Sequence, residues 1–110
     1  MFQLVKERIV KKWPITIAVP MDGGKVQTCD ITLDFKLVNS DEFRKLSTES
    51  DSKLFSEVVL GWSGIHDEHD QPLPFTPDNL AAACQNQHFT AGALQGYMKA
   101  MSGVASTKNS

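Results

Sequence analysis

The sequence predicts an α+β fold: an N-terminal antiparallel β-hairpin packed against a C-terminal bundle of about four short helices. Three observations predict it. Residues 28–37 alternate strictly, with Cys29, Ile31, Leu33, Phe35 and Leu37 on one face and Thr28, Asp30, Thr32, Asp34 and Lys36 on the other. A Met21-Asp22-Gly23-Gly24 turn precedes that run and places glycines where positive φ is needed. Beyond residue 38 the apolar spacing becomes helical, with helix starts at Asn39, Asp51 and Thr76.

The first strand is read from Ile15, Ile17 and Val19, which alternate with Thr16 and Ala18 between Pro14 and Pro20. The hairpin then spans residues 14–38. A hairpin alone is marginal in water, so its apolar face needs a cover. Asn39 with Glu42 three residues later suggests a capping box, opening a short helix that carries Phe43 and Leu46. Asp51 caps a second helix through Leu54, Phe55, Val58, Val59 and Trp62, with Gly61 late in it and Gly64 just past its end. Residues 66–75 form a polar loop, held extended by Pro72 and Pro74. Thr76-Pro77-Asp78 is a strong helix start, and Leu80, Ala83 and Cys84 give that helix an inward face before Asn86 ends it. The last helix runs from about His88 to Met101 with Phe89, Ala93, Leu94 and Tyr97. Residues 1–101 are expected to make one domain and residues 102–110 a mobile C-terminal tail.

Composition narrows the function classes. The formal net charge of −2 supplies no global field for nucleic acid. No run approaches the ~18 apolar residues of a membrane span. Met1 to Val10 contains Glu7 and Arg8 and lacks the apolar core of a signal peptide. An intracellular, soluble protein is expected, and its two cysteines, Cys29 and Cys84, are read as reduced, buried thiols.

His66-Asp67-Glu68-His69-Asp70 has metal-ligand residue types, but neither H-E-x-x-H spacing nor a calcium-loop pattern. It is read as a solvated acidic loop, so no metal and no cofactor is assigned. No Ser or Cys sits in a local nucleophile signature, so no catalytic residue is assigned either. Three features could meet a partner instead. Gly92, Gly96 and Ala100 form a small-residue stripe, suited to close approach by the chain's own core or by a second subunit. Leu73 and Phe75 either face a partner or fold back over the hairpin. Asp67 and Glu68 make an acidic patch opposite in sign to the N-terminal Lys6, Arg8, Lys11 and Lys12.

One ordered string goes further. Gly61-Trp62, Asp67-Glu68, Pro72-Leu73-Pro74-Phe75, Pro77 with Leu80, and Phe89 with Tyr97 follow one another in that order. Over roughly residues 14–101 this resembles the tail assembly chaperones of long-tailed bacteriophages and prophages. Where that family often has a glycine-containing turn after the acidic pair, this chain has His69-Asp70-Gln71. The resemblance implies a non-enzymatic assembly factor that binds the tape measure protein and keeps it soluble until tail tube protein polymerises around it. It also implies action in the host bacterial cytoplasm, absence from the mature virion, and a homo-oligomer whose multivalency serves a long client. Two alternatives stand beside it: a small regulatory or inhibitor protein whose acidic loop mimics an anionic ligand, and a metal-dependent enzyme using His66 and His69.

Overall fold

The computed structural model describes residues 1–105. Its centre is strand β2 (Val26–Leu37), which is paired on both sides. Strand β1 (Arg8–Pro20) lies antiparallel to it on one edge, and β3 (Val59–Ser63) lies antiparallel on the other. Helices α1 (Ser40–Glu49), α2 (Asp51–Val58), α3 (Pro77–Ala83) and α4 (Gln87–Ser102) complete the α+β architecture. Directly opposed residues share a face of the sheet. Register therefore lines up Trp13, Leu33 and Trp62 across the three strands, with Ile15 beside Ile31 and Phe35 beside Val59. This is the core face, and Ile15, Ile31, Leu33, Phe35 and Val59 are all buried on it.

The hairpin turn forms at Asp22–Gly24, with Gly23 and Gly24 both at positive φ, as expected. The hairpin itself is longer than expected, because β1 begins at Arg8 and not near residue 14. A bulge between Val10 and Trp13 lets the strand continue. Lys12 takes φ 55°, and its N–H is caught by Asp34 Oδ1 at 2.8 Å. Cys29 corrects a second expectation. It lies on the core-face register, opposite Ile17, yet it is exposed. All of residues 21–30 are exposed, so the distal hairpin reaches beyond the helices that bury its base.

The second helix is shorter than expected. It stops at Val58, and Val59–Ser63 is a strand, not a continuation through Trp62. Val59 and Trp62 suit a pleated surface, Gly61 weakens a helix, and β2 would otherwise leave an edge unpaired. Ser50, rather than Asp51, caps α2 by accepting from the Lys53 N–H at 3.0 Å. The same residue, fully extended, ends α1. Asn39 and Thr76 cap α1 and α3 as expected, accepting from the Glu42 and Asn79 N–H groups at 2.9 and 3.0 Å.

α4 is the principal cover of the sheet. Phe89, Ala93, Gly96, Tyr97 and Ala100 make its buried face. Tyr97 meets Phe35 edge-on at 4.9 Å and stacks on Phe43 at 5.9 Å. Its hydroxyl donates to the Lys36 carbonyl at 2.8 Å and accepts from the Val38 N–H at 3.2 Å. α4 takes in Ser102 and closes on Gly103 in the left-handed conformation, with the Val104 N–H donating to the Lys99 carbonyl. Ser102 therefore belongs to the helix and not to a tail, and residues 106–110 of the expected tail lie outside the described residues.

Candidate functional site

The residues that carry the Gly-Trp … Pro-Leu-Pro-Phe string meet in one packed unit. Trp62 projects from β3 on the core face beside Leu33. Its indole N–H donates to the Leu73 carbonyl at 2.8 Å. Its ring meets Phe75 edge-on at 5.1 Å and Phe89 edge-on at 6.4 Å. An aromatic cluster of this geometry adds about 1 kcal/mol per pair beyond area burial. Asn79 Nδ2 then donates to the Pro74 carbonyl at 2.9 Å, tying the turn to the start of α3.

Gly61 and Gly64, on either side of Trp62, have separate reasons. A Cβ at Gly61 would lie 2.8 Å from Asp34 Oδ2, and the other oxygen of that carboxylate holds the Lys12 N–H. Gly61 thus leaves space on the solvent face for the carboxylate that pins the β1 bulge. Gly64 has φ 89°, which turns the chain out of β3.

The acidic segment is not an open, extended loop. Leu73 N–H donates to the Ile65 carbonyl at 2.9 Å and Asp67 N–H to the Gln71 carbonyl at 2.8 Å, folding the segment back on itself. His66 and Pro72 pair as an isolated antiparallel bridge. Asp67 Oδ1 accepts from the His69 and Gln71 N–H groups at 2.8 and 3.0 Å, so this carboxylate builds the turn. His66 Nδ1 is bonded to Asp70 Oδ1 at 2.9 Å, while His69 Nε2 lies 3.6 Å from Glu68 Oε1. The two imidazoles therefore have different acidic neighbours. Among the described residues no three metal-ligating side chains converge. Glu68 is exposed at the tip.

The expected partner residues thus fall into two groups that the fold keeps apart. Leu73 and Phe75 fold back onto Trp62 and are half-buried, and do not stand out toward a partner. Asp67 and Glu68 share the turn that precedes them. The Gly92, Gly96 and Ala100 stripe faces the chain's own hairpin, so of the two approaches its spacing allowed the close one is to the chain's own core and not to a second subunit. A Cβ at Gly92 would lie 2.7 Å from the Thr16 carbonyl oxygen, and one at Gly96 would overlap Ile15 Cδ1. Ala100 is buried on the same helix face.

Cys84 lines an apolar recess of about 460 Å³ between α2 and α3, with Val59, Phe75 and Leu80. Burial pushes its thiol above the ordinary value; a hydrogen bond from Ser52 pulls it down, and Asp51 pushes it up further. This is a packed, protonated thiol and not an activated one.

Sequence reasoning misses a larger groove between α1 and α4, beside the N-terminal segment. Phe2, Leu4 and Val5 were readable as apolar residues with no place in the hairpin or the helices, which was the available clue. No protein-family model, characterised protein or solved structure matches the chain.

Proposed function

We propose that this protein is a tail assembly chaperone of a long-tailed bacteriophage or prophage. It binds the tape measure protein, keeps that long client soluble in the host cytoplasm, and leaves before the virion is complete. Several copies act together, so that repeated weak contacts hold one extended client. The mechanism is binding and release and needs no catalytic group.

One observation carries the reading. The residues of the family-like string are not scattered over the surface: Trp62, Leu73 and Phe75 interlock, the Leu73 N–H closes the acidic segment on the Ile65 carbonyl, and Asn79 of α3 is tied to the Pro74 carbonyl. Shared architecture is the expected reason for such residues to recur in order. The chemistry of the acidic turn agrees with a structural part, since Asp67 is spent on backbone N–H groups and His66 on Asp70.

Genetic inactivation tests the proposal. Deleting this reading frame from an inducible prophage that encodes it should give filled heads without tails, restored by supplying the chain in trans. Normal tails in the deletion strain would reject it.

A further inference from the structure

We propose that the groove between α1 and α4 is a docking site for an acidic amphipathic helix of another protein. The groove encloses about 650 Å³. Its floor is apolar, made by Leu37, Val38, Phe43, Met98 and Met101, and Phe2, Leu4 and Val5 form a wall along it. Leu37, Val38, Phe43 and Met101 are half-buried against the core and offer the groove only their outer edges, whereas Phe2, Leu4, Val5 and Met98 are not spent on the core. Phe2 is 81%, Leu4 90% and Met98 44% exposed. Contiguous apolar surface of this kind marks an interaction site.

Charge selects the occupant. The chain as a whole carries −2, yet among the described residues every charged side chain lining this groove is a cation: Lys6, Arg8 and Arg44. A second depression of about 570 Å³ continues it along α4, sharing Met98 and Ser102, and among the described residues its only charged lining residue is Lys99. Glu7 and Glu42 line an adjoining, smaller recess that shares Lys6, Val38 and Asn39 with the groove, so the acidic side chains sit at one end of it. Glu7 is paired with Lys36 at 3.6 Å, and Asp41 with Arg44 at 3.4 Å; both pairs are exposed enough for an incoming carboxylate to compete.

Geometry selects a helix. Leu94, Met98 and Met101 lie at helical spacing on α4 and continue to Val104 just past its cap. That stripe runs about 15 Å along the axis, the length that an adjacent helix covers in three turns. Unbranched methionines adapt to the ridges of a helix seated between two others. A membrane surface fits less well, because the apolar floor is concave. A second copy fits less well too, because this chain's acid-bearing helices bury their apolar residues internally at Leu46, Leu54 and Leu80. The inference stands on the groove's own chemistry and does not rest on the chaperone reading.

The test uses the full chain and two helix-forming peptides of about 18 residues. Both carry leucines at i, i+4, i+7 and i+11. One has flanking glutamates and the other lysines in their place. The glutamate peptide should bind at least about tenfold more tightly than the lysine peptide, and more weakly as salt rises. Met98→Asp and Arg44→Glu, both at exposed positions, should each weaken it about tenfold while leaving the thermal midpoint near that of the unsubstituted chain. Amide shifts on titration should concentrate on α1, α4 and residues 2–8. Equal affinity for the two peptides, absence of binding, or shifts centred elsewhere would overturn the proposal. So would self-association abolished by Met98→Asp, or binding to phosphatidylserine vesicles through this face without discrimination between the peptides.

Discussion

Leu33 has no exposed surface and lies between Trp13 and Trp62 in the row that crosses all three strands. Leu33→Ala should cost about 3 kcal/mol, read by urea denaturation, because the two flanking indoles cannot both collapse into the space. Tyr97 offers a cleaner probe, being the only tyrosine. Burial raises its pKa above the ordinary value, against a smaller lowering by the Val38 N–H. Its neutral form is therefore favoured in the folded state. The sign follows: this contribution is intact below the unfolded value of about 10 and is lost as pH rises through the higher folded value. Ultraviolet titration should place the native midpoint above that of the urea-unfolded chain; coincident midpoints would show an unburied hydroxyl. The cysteines should differ as well. Cys29 is exposed, and Cys84 is half-buried with a raised pKa, so iodoacetamide near pH 8 should alkylate Cys29 first, as peptide mass spectrometry would show. The indole N–H of Trp13 is buried without a hydrogen-bond partner, and nothing in its surroundings explains that.

Among the elements, α4 packs closely on β1 at Gly92, which tests that contact. Alanine there gains about 1 kcal/mol of helix propensity. Against that, a Cβ 2.7 Å from the Thr16 carbonyl oxygen forces backbone to move, at about 1–3 kcal/mol. Gly92→Ala should therefore be destabilising by about 1 kcal/mol with unchanged sedimentation behaviour. Stabilisation by that amount would mean that α4 does not pack on β1 here. Strand β2 is legible in the sequence because residues 28–37 obey one period. Helices α1 and α3 are legible because Asn39 and Thr76 are local caps that need no distant partner. Strand β3 is not, since Val59, Leu60 and Trp62 satisfy a helical and an extended pattern equally over so short a run; the arbiter is the open edge of β2, which is a tertiary fact. The β1 bulge is hidden for the same reason, because the Asp34 carboxylate that holds Lys12 lies 22 residues away. The direction of the glycine stripe is ambiguous in sequence, where a partner backbone and the chain's own backbone impose the same requirement.

At the scale of the whole molecule, the packed half and the open half have different chemistry. Trp62, Phe75 and Phe89 close one side with their polar groups satisfied, while Phe2, Leu4 and Met98 leave apolar surface in water on the other. A stable enclosed unit beside an unsatisfied groove is what a binding protein requires. The string that suggests a tail assembly chaperone is legible in the sequence, but the groove is not, because its floor is assembled from β2, α1 and α4 and its wall from the N-terminus. The proposed function is that the chain holds a tape measure protein in soluble form. It is tested most directly by co-expressing the tagged chain with the tape measure protein encoded in the same phage genome and measuring what is soluble and co-purifies. The tape measure protein, insoluble alone, should become soluble and elute with several copies of this chain per client. A tape measure protein that remains insoluble, or that is soluble without ever binding the chain, would contradict it.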